Sequence, residues 1–143
     1  MTRSVSRSVL IDAPASSVFA VLADPRRHPD FDGSGSVKAT IKGPERLAKG
    51  DRFGMRMRLG IPYAITNEVV EFEQDQLIGW RHLGHHVWRY ELAPEGSSTR
   101  VTETFDWSTS RAPKVLELIS YPAKNAVNIE KSLVRLKGLL ESV

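Results

Sequence analysis

The sequence predicts one α+β domain in which an antiparallel sheet is covered by a long helix from the C-terminal part of the chain. Three observations carry this. From Val37 to Ser108 apolar residues recur with a period of two, broken at short intervals by turn residues, which is the pattern of consecutive antiparallel strands. After Pro113 the apolar spacing lengthens to three and four, the repeat of one helix face. The 143 residues are 41% hydrophobic and carry no internal repeat, low-complexity segment or linker, so sheet and helix are expected to share a single core.

Residues 3 to 11 are rich in strand formers and end at Ile11. Asp12-Ala13-Pro14 reads as a turn into a helix with Pro14 at the first helical position, where its missing N–H leaves no bond unmade. Val18, Phe19 and Leu22 give that helix an apolar face, and Asp24-Pro25 ends it. The Pro- and Gly-rich segment from Arg26 to Ser36 reads as loop or one short helical turn. Val37, Ala39 and Ile41 then alternate with Lys38, Thr40 and Lys42 as the first strand of a meander. Turn signals at Lys42-Gly43-Pro44, Gly60-Ile61, Gln74-Asp75, Gly84-His85 and Glu95-Gly96 space six antiparallel strands. In the final helix Leu118, Pro122, Asn125, Ile129, Leu133, Leu136 and Leu140 share a face, and Pro122 should kink or split it.

Parity sets the registers, because successive strand side chains point to opposite faces. Ile78, Trp80 and His82 share one face, as do His86, Trp88, Tyr90 and Leu92 on the next strand. Both sets face inward if the loop is Leu83-Gly84-His85, which pairs Trp80 with Trp88 and His82 with His86. A four-residue Glu95 to Ser98 loop then pairs Tyr90 with Glu103, Trp88 with Phe105 and His86 with Trp107. Arg81, Arg89, Glu91, Thr102, Thr104 and Asp106 fall together on the outer face, a mutual consistency that supports the assignment. For residues 62 to 73 two faces compete. A two-residue Gly60-Ile61 turn places Ala64, Thr66, Glu68, Val70 and Phe72 inward beside Met55 and Met57 and is preferred; the alternative face holds Tyr63, Ile65, Asn67, Val69 and Glu71.

Composition excludes several function classes. The chain has no cysteine, so cysteine-ligated zinc, iron–sulfur clusters and thiol catalysis are ruled out. The formal net charge is +3, but Arg52, Arg56 and Arg58 alternate with Phe53, Met55, Met57 and Leu59 as the solvated face of one strand does, so no nucleic-acid partner is expected. Arg3 and Arg7 precede an apolar stretch that Asp12 and Pro14 cut short of a signal-peptide core or membrane span. A cytoplasmic location without an integral membrane segment is the expectation.

The order strand, helix, short turn, meander and long helix comes with diffuse packing signatures: Ala13-Pro14-Ala15 leading to Val18-Phe19, then Leu22-Ala23-Asp24-Pro25, Val69-Val70-Glu71-Phe72, Thr99-Arg100-Val101-Thr102, and Ser132-Leu133-Leu136-Lys137. Together, across essentially the whole chain, these resemble the polyketide cyclase/dehydrase branch of the START-related superfamily (SRPBCC). The resemblance implies a helix-grip fold. In that fold a seven-stranded curved antiparallel sheet wraps around the long C-terminal helix and encloses a cavity for a small apolar or aromatic molecule. It also places the loop around His28, Pro29, Asp30, Phe31 and Asp32 near the cavity mouth, with Phe31 as a gate or simply part of a capped turn.

The residues agree with a cavity, since the inferred inner face is strongly aromatic. Met55, Met57, Trp80, His86, Trp88, Phe105 and Trp107 are the candidate ligand contacts from the sheet, with Asn125 and Ile129 from the helix. The expected function is binding of a small hydrophobic or aromatic molecule. The alternative is a cofactor-independent cyclase or dehydratase in which His82 is the general base and Glu103 or Tyr90 its partner, because a near-neutral imidazole beside a carboxylate in a dry pocket can move a proton α to a carbonyl. Glu68 is a further polar candidate on the preferred inner face. Neither metal nor cofactor is expected: His85 sits at a turn tip, pointing away from His82 and His86, and Gly33-Ser34-Gly35 lacks the flanking strand and helix of a phosphate loop. A homodimer formed through the outer face is a further partner class.

Overall fold

The computed structural model describes residues 2–34, 37–81 and 84–142, with the side chains of 39–42 and 59 outside the description. The chain runs β1 (Ser4–Ile11), α1 (Ala15–Leu22), a 3-10 turn (Pro25–Arg27), α2 (His28–Phe31), β2 (Val37–Lys42), β3 (Arg52–Leu59), β4 (Ile61–Glu73), β5 (Leu77–Arg81), β6 (Val87–Glu95), β7 (Ser98–Asp106), α3 (Pro113–Leu118) and α4 (Tyr121–Glu141). The seven strands form one antiparallel sheet in the order β1-β7-β6-β5-β4-β3-β2. The meander is thus extended by β1, which returns to pair with β7 along its whole length. The sheet curls around α4, which packs on β1, β7 and α2. This is the helix-grip arrangement. Among the described residues no helix is long and apolar enough to cross a membrane.

Local chemistry explains the helix ends. Pro14 sits one position earlier than expected, as the extended residue (φ −68°, ψ 152°) whose carbonyl accepts from Ser17 and Val18; the fixed φ of proline suits either place, and the extended ψ puts it outside the helix. Val18, Phe19 and Leu22 are fully buried. The Asp24 carboxylate accepts from the Arg26 N–H at 3.0 Å and so starts the turn at Pro25. Pro122 splits the C-terminal helix. Proline removes an N–H and clashes with the carbonyl four residues back, so α3 ends at Leu118, Ser120 adopts a left-handed φ of 60°, and Pro122 stands in the first turn of α4. As a result Leu118 leaves the shared apolar face and is 85% exposed, while Asn125, Ile129, Leu133 and Leu136 remain buried on it.

The registers of β5, β6 and β7 follow the parity argument. Trp80 pairs with Trp88, and Tyr90 with Glu103 and Trp88 with Phe105. The His82–His86 pair lies outside the described residues. The β6–β7 ladder runs on to Glu95–Ser98, so the loop is only Gly96-Ser97, with Gly96 at φ 65°. At its other end the ladder stops at Val87–Asp106, which leaves His86 and Trp107 beyond it. On the outer face Arg89 donates to both Glu71 oxygens at 2.7 and 3.0 Å and to Asp106 at 3.1 Å.

The preferred inner face of β4 is corrected by the structure. Gly60, at φ 76°, alone forms the β3–β4 tip, and Leu59 pairs with Ile61. A one-residue tip reverses the parity of a two-residue turn, so Tyr63 lies opposite Met57, Ile65 opposite Met55, and Ala64, Thr66 and Glu68 face outward. A bulge between Val69 and Glu71 then restores the other parity. Phe72 therefore turns inward against Phe19, with ring centroids 5.5 Å apart, and Glu71 turns outward to meet Arg89.

Candidate functional site

A cavity of about 210 Å³ lies between the curled sheet, the α2 segment and α4. The sheet supplies Met55, Met57, Trp80, Trp88, Tyr90 and Glu103, together with Tyr63, Ile65 and Asn67 from the corrected face of β4. Helix α4 supplies Tyr121, Asn125, Asn128 and Ser132, at steps of four, three and four that put them on one stripe. The α2 segment closes the remaining side with His28, Phe31, Asp32 and Ser34, continued by Val37.

A close backbone contact holds that side in place. The Gly33 N–H donates to the Ser132 hydroxyl at 2.7 Å, and a β-carbon on Gly33 would stand 2.4 Å from the Asn128 carbonyl oxygen and 2.5 Å from the Ser132 nitrogen. Only glycine lets the loop approach α4 so nearly. The Arg135 guanidinium donates to the Asp32 carbonyl oxygen at 2.9 Å. The Asp32 carboxylate is committed to its own loop, accepting from the Ser34 hydroxyl at 2.8 Å and from the Val37 N–H at 3.1 Å.

His28 is the ring on which the aromatic wall is assembled. It is 4% exposed, stacks on Trp80 with centroids 4.7 Å apart, and meets Phe31 and Phe53 edge-on, each at 5.3 Å. Its Nε2 lies 2.9 Å from the Leu22 carbonyl oxygen, so Nε2 carries the proton and Nδ1 is the acceptor. Burial brings its pKa down to about 4, against the opposing pull of the Leu22 carbonyl and the carboxylates of Asp24 and Asp32. The ring is therefore neutral at physiological pH. Phe31 is buried between His28 and Tyr90 and lines the cavity.

Glu103 is the buried acid of the site. Burial drives its pKa well above the ordinary carboxylate value; a hydrogen bond from the Tyr90 hydroxyl opposes the rise, and the Asp32 charge adds to it. Burial, then Glu103, pushes the Tyr90 phenol up as well. Burial thus favours the uncharged form of both partners, carboxyl and phenol, over their anions. The Glu103 Oε1 atom is buried with no hydrogen-bond partner. Asn125, 3% exposed, faces the Tyr121 hydroxyl and tempers the rise that burial imposes on that phenol, but its Nδ2 reaches no hydrogen bond of full geometry.

Of the candidate contacts read from the sequence, Met55, Met57, Trp80, Trp88, Tyr90, Glu103 and Asn125 line this cavity. Four others do not. Phe105 is fully buried beneath Trp88, with centroids 4.7 Å apart, and Ile129 is fully buried on α4. His86 packs against Phe105 and Tyr121 at 5.2 and 6.0 Å. Trp107 stacks on Phe105, and its Nε1 donates to Glu117 at 2.7 Å, joining the end of β7 to α3. Inward parity brings a side chain to the concave side, but only those uncovered by α3 and α4 reach the cavity. His82 lies outside the described residues. Glu68 borders a separate recess on the outer face with Arg52, Arg81 and His85. His85 sits at the turn with φ 63°, beside Arg111.

The sequence reading put the His28–Asp32 loop only near the cavity mouth and Asn67 only on the face of β4 it did not prefer, and it missed Tyr121, Asn128 and Ser132 as lining residues. The available signal was the run of polar residues at helical spacing, Asn125, Asn128 and Ser132, along an otherwise apolar face.

Comparison with known proteins places this geometry. A family model described as polyketide cyclase/dehydrase and lipid transport matches residues 2–141. The uncharacterized protein Rv0088 of Mycobacterium tuberculosis is 44% identical over 140 residues, covering 92% of this chain; the chain spans only 62% of that relative's length. The solution structure of KanY protein superposes with a TM-score of 0.75 at 16% identity, covering 99% of both chains. The crystal structure of protein NE0264 from Nitrosomonas europaea superposes with a TM-score of 0.73 at 16% identity, covering 97% of this chain and 94% of that one. At such identities the likeness is one of fold.

Proposed function

The chain belongs to the polyketide cyclase/dehydrase and lipid transport family, and from that premise we propose that it binds a small hydrophobic or aromatic molecule between the sheet and α4. The observation that carries the reading is the cavity itself, walled by Trp80, Trp88, Met55 and Met57 of the sheet and by Phe31 of the α2 segment. An apolar cavity of about 150 Å³ accommodates benzene, so the 210 Å³ here suits a molecule of one or two rings. Thioether side chains adapt to irregular outlines, and aromatic faces stack on planar ligands.

Native mass spectrometry of protein purified from its own host, with organic extraction, tests the reading. The expected result is a stoichiometric small molecule whose return to the emptied protein shifts tryptophan emission through Trp80 and Trp88. Empty protein whose emission ignores a panel of aromatic and fatty ligands would refute it.

One observation favours a second reading, a cofactor-independent cyclase or dehydratase. The buried Glu103 acid beside Tyr90 can donate to a carbonyl oxygen as a base, His82 in the sequence reading, removes the α proton. Under this reading Glu103→Gln lowers turnover by orders of magnitude while product still binds; under the binding reading affinity changes modestly and there is no turnover to lose.

A further inference from the structure

Resting on the reading of the cavity as a ligand site, we infer that it selects an uncharged molecule bearing a hydroxyl and a carbonyl oxygen, and that it rejects carboxylates of the same shape. Two buried polar atoms point to this. Glu103 Oε1 and Asn125 Nδ2 belong to residues 4% and 3% exposed that line the cavity; Oε1 has no hydrogen-bond partner, and Nδ2 faces the Tyr121 hydroxyl without a hydrogen bond of full geometry. A buried polar group without a partner is costly. A ligand carbonyl meets the amide donor of Asn125, and a ligand hydroxyl meets Glu103. A purely hydrocarbon ligand would leave both groups unmet.

The charges of the cavity exclude an anion. Among the described residues no lysine or arginine lines it. Its imidazole, His28, is neutral, and its acidic side chains are Glu103 and Asp32. A carboxylate entering here loses hydration and meets no cation, a combination that buried anions do not tolerate. The Asp32 carboxylate already accepts from Ser34 and Val37 in its own loop, so a cationic ligand would have to compete with those donors for its oxygens. Burial also favours the neutral form of the Glu103 carboxyl over its anion, and a carboxyl group can meet a neutral ligand oxygen.

The test uses four naphthalene probes of similar size: 1-hydroxy-2-acetonaphthone, 1-hydroxy-2-naphthoic acid, 2-ethylnaphthalene and a naphthylmethylammonium. Each is titrated at pH 7.5 into the wild-type chain and into Glu103→Gln, Glu103→Ala and Asn125→Ala, with circular dichroism and melting curves showing that each variant is folded. The hydroxyketone is expected to bind at least tenfold more tightly than either the carboxylate or the hydrocarbon, as one or two satisfied buried hydrogen bonds require. Glu103→Gln, which keeps a neutral donor and acceptor, retains that preference, whereas Glu103→Ala and Asn125→Ala weaken the hydroxyketone about tenfold and leave the hydrocarbon unchanged. The inference is overturned if the carboxylate or the ammonium binds as tightly as the hydroxyketone, or if the alanine variants weaken every probe equally; in those cases the cavity remains a ligand site. If all four probes fail to bind, the ligand-site reading falls, and this inference falls with it.

Discussion

His28 makes the fold sensitive to acid, and the size of the effect follows from its surroundings. The ring ionises at 6.5 in the unfolded chain and at about 4 when buried against Trp80, Phe31 and Phe53. Above pH 6.5 it is neutral in both states and adds no pH dependence. As the pH falls from 6.5 towards 4 the unfolded chain takes up a proton that the folded chain refuses, so folding free energy declines with falling pH. At 1.36 kcal/mol per pKa unit the loss levels off at about 3 kcal/mol below pH 4, a large share of an ordinary domain's stability. Between pH 7.5 and 4.5 it should amount to about 2.5 kcal/mol. The perturbation that isolates it is His28→Gln, whose amide can still donate to the Leu22 carbonyl but cannot ionise. Urea unfolding followed by tryptophan emission at the two pH values gives the acid-induced loss for each protein. The variant, whatever its own stability at pH 7.5, should lose about 2.5 kcal/mol less than wild type over that interval. Losses that agree within about 0.5 kcal/mol, an ordinary surface-mutation difference, would refute the argument that His28 is buried in its neutral form.

Three further outcomes are expected. Glu103→Gln should stabilise the fold relative to wild type at alkaline pH and progressively less on acidification: the raised carboxyl pKa lets the unfolded chain release its proton first as the pH rises above the ordinary value, and chemical denaturation from pH 5 to 9 checks the sign. Gly33→Ala should cost about 2 kcal/mol or more, because its β-carbon would meet backbone atoms of α4 at 2.4 and 2.5 Å; an unchanged melting temperature would show that the loop can move away freely. Ser120→Gly, at φ 60°, should raise stability by about 0.5–1 kcal/mol through relief of the left-handed conformation, measured by thermal melting.

How much of the site could be read in advance depended on how local its causes are. The turn at Gly84-His85 and the alternation through Trp80, Trp88, Tyr90 and Glu103 were enough to place these side chains opposite one another, since parity propagates along a strand without reference to the rest of the chain. Along β4 the same method failed, because a one-residue tip at Gly60 and a bulge before Glu71 each reversed the parity. Neither carries a distinctive residue signal. His28 and Asp32 reach the cavity only because Gly33 seats their loop on α4, a contact across 99 residues of chain.

By itself, then, the sequence determined the order of elements, the meander, the β5–β6–β7 registers and the break at Pro122, all consequences of backbone periodicity and of what proline and glycine permit within a few residues. The tertiary structure alone decided which inward side chains α3 and α4 would cover and which would remain on the cavity wall, so that Phe105, Trp107, His86 and Ile129 became packing while Trp80, Trp88 and Tyr90 did not. It also decided that His28 would be neutral and that the Glu103 carboxyl would resist ionisation. Desolvation is summed over everything that surrounds a group, and those surroundings are gathered from β3, β5, β6, α1, α2 and α4, segments far apart along the chain.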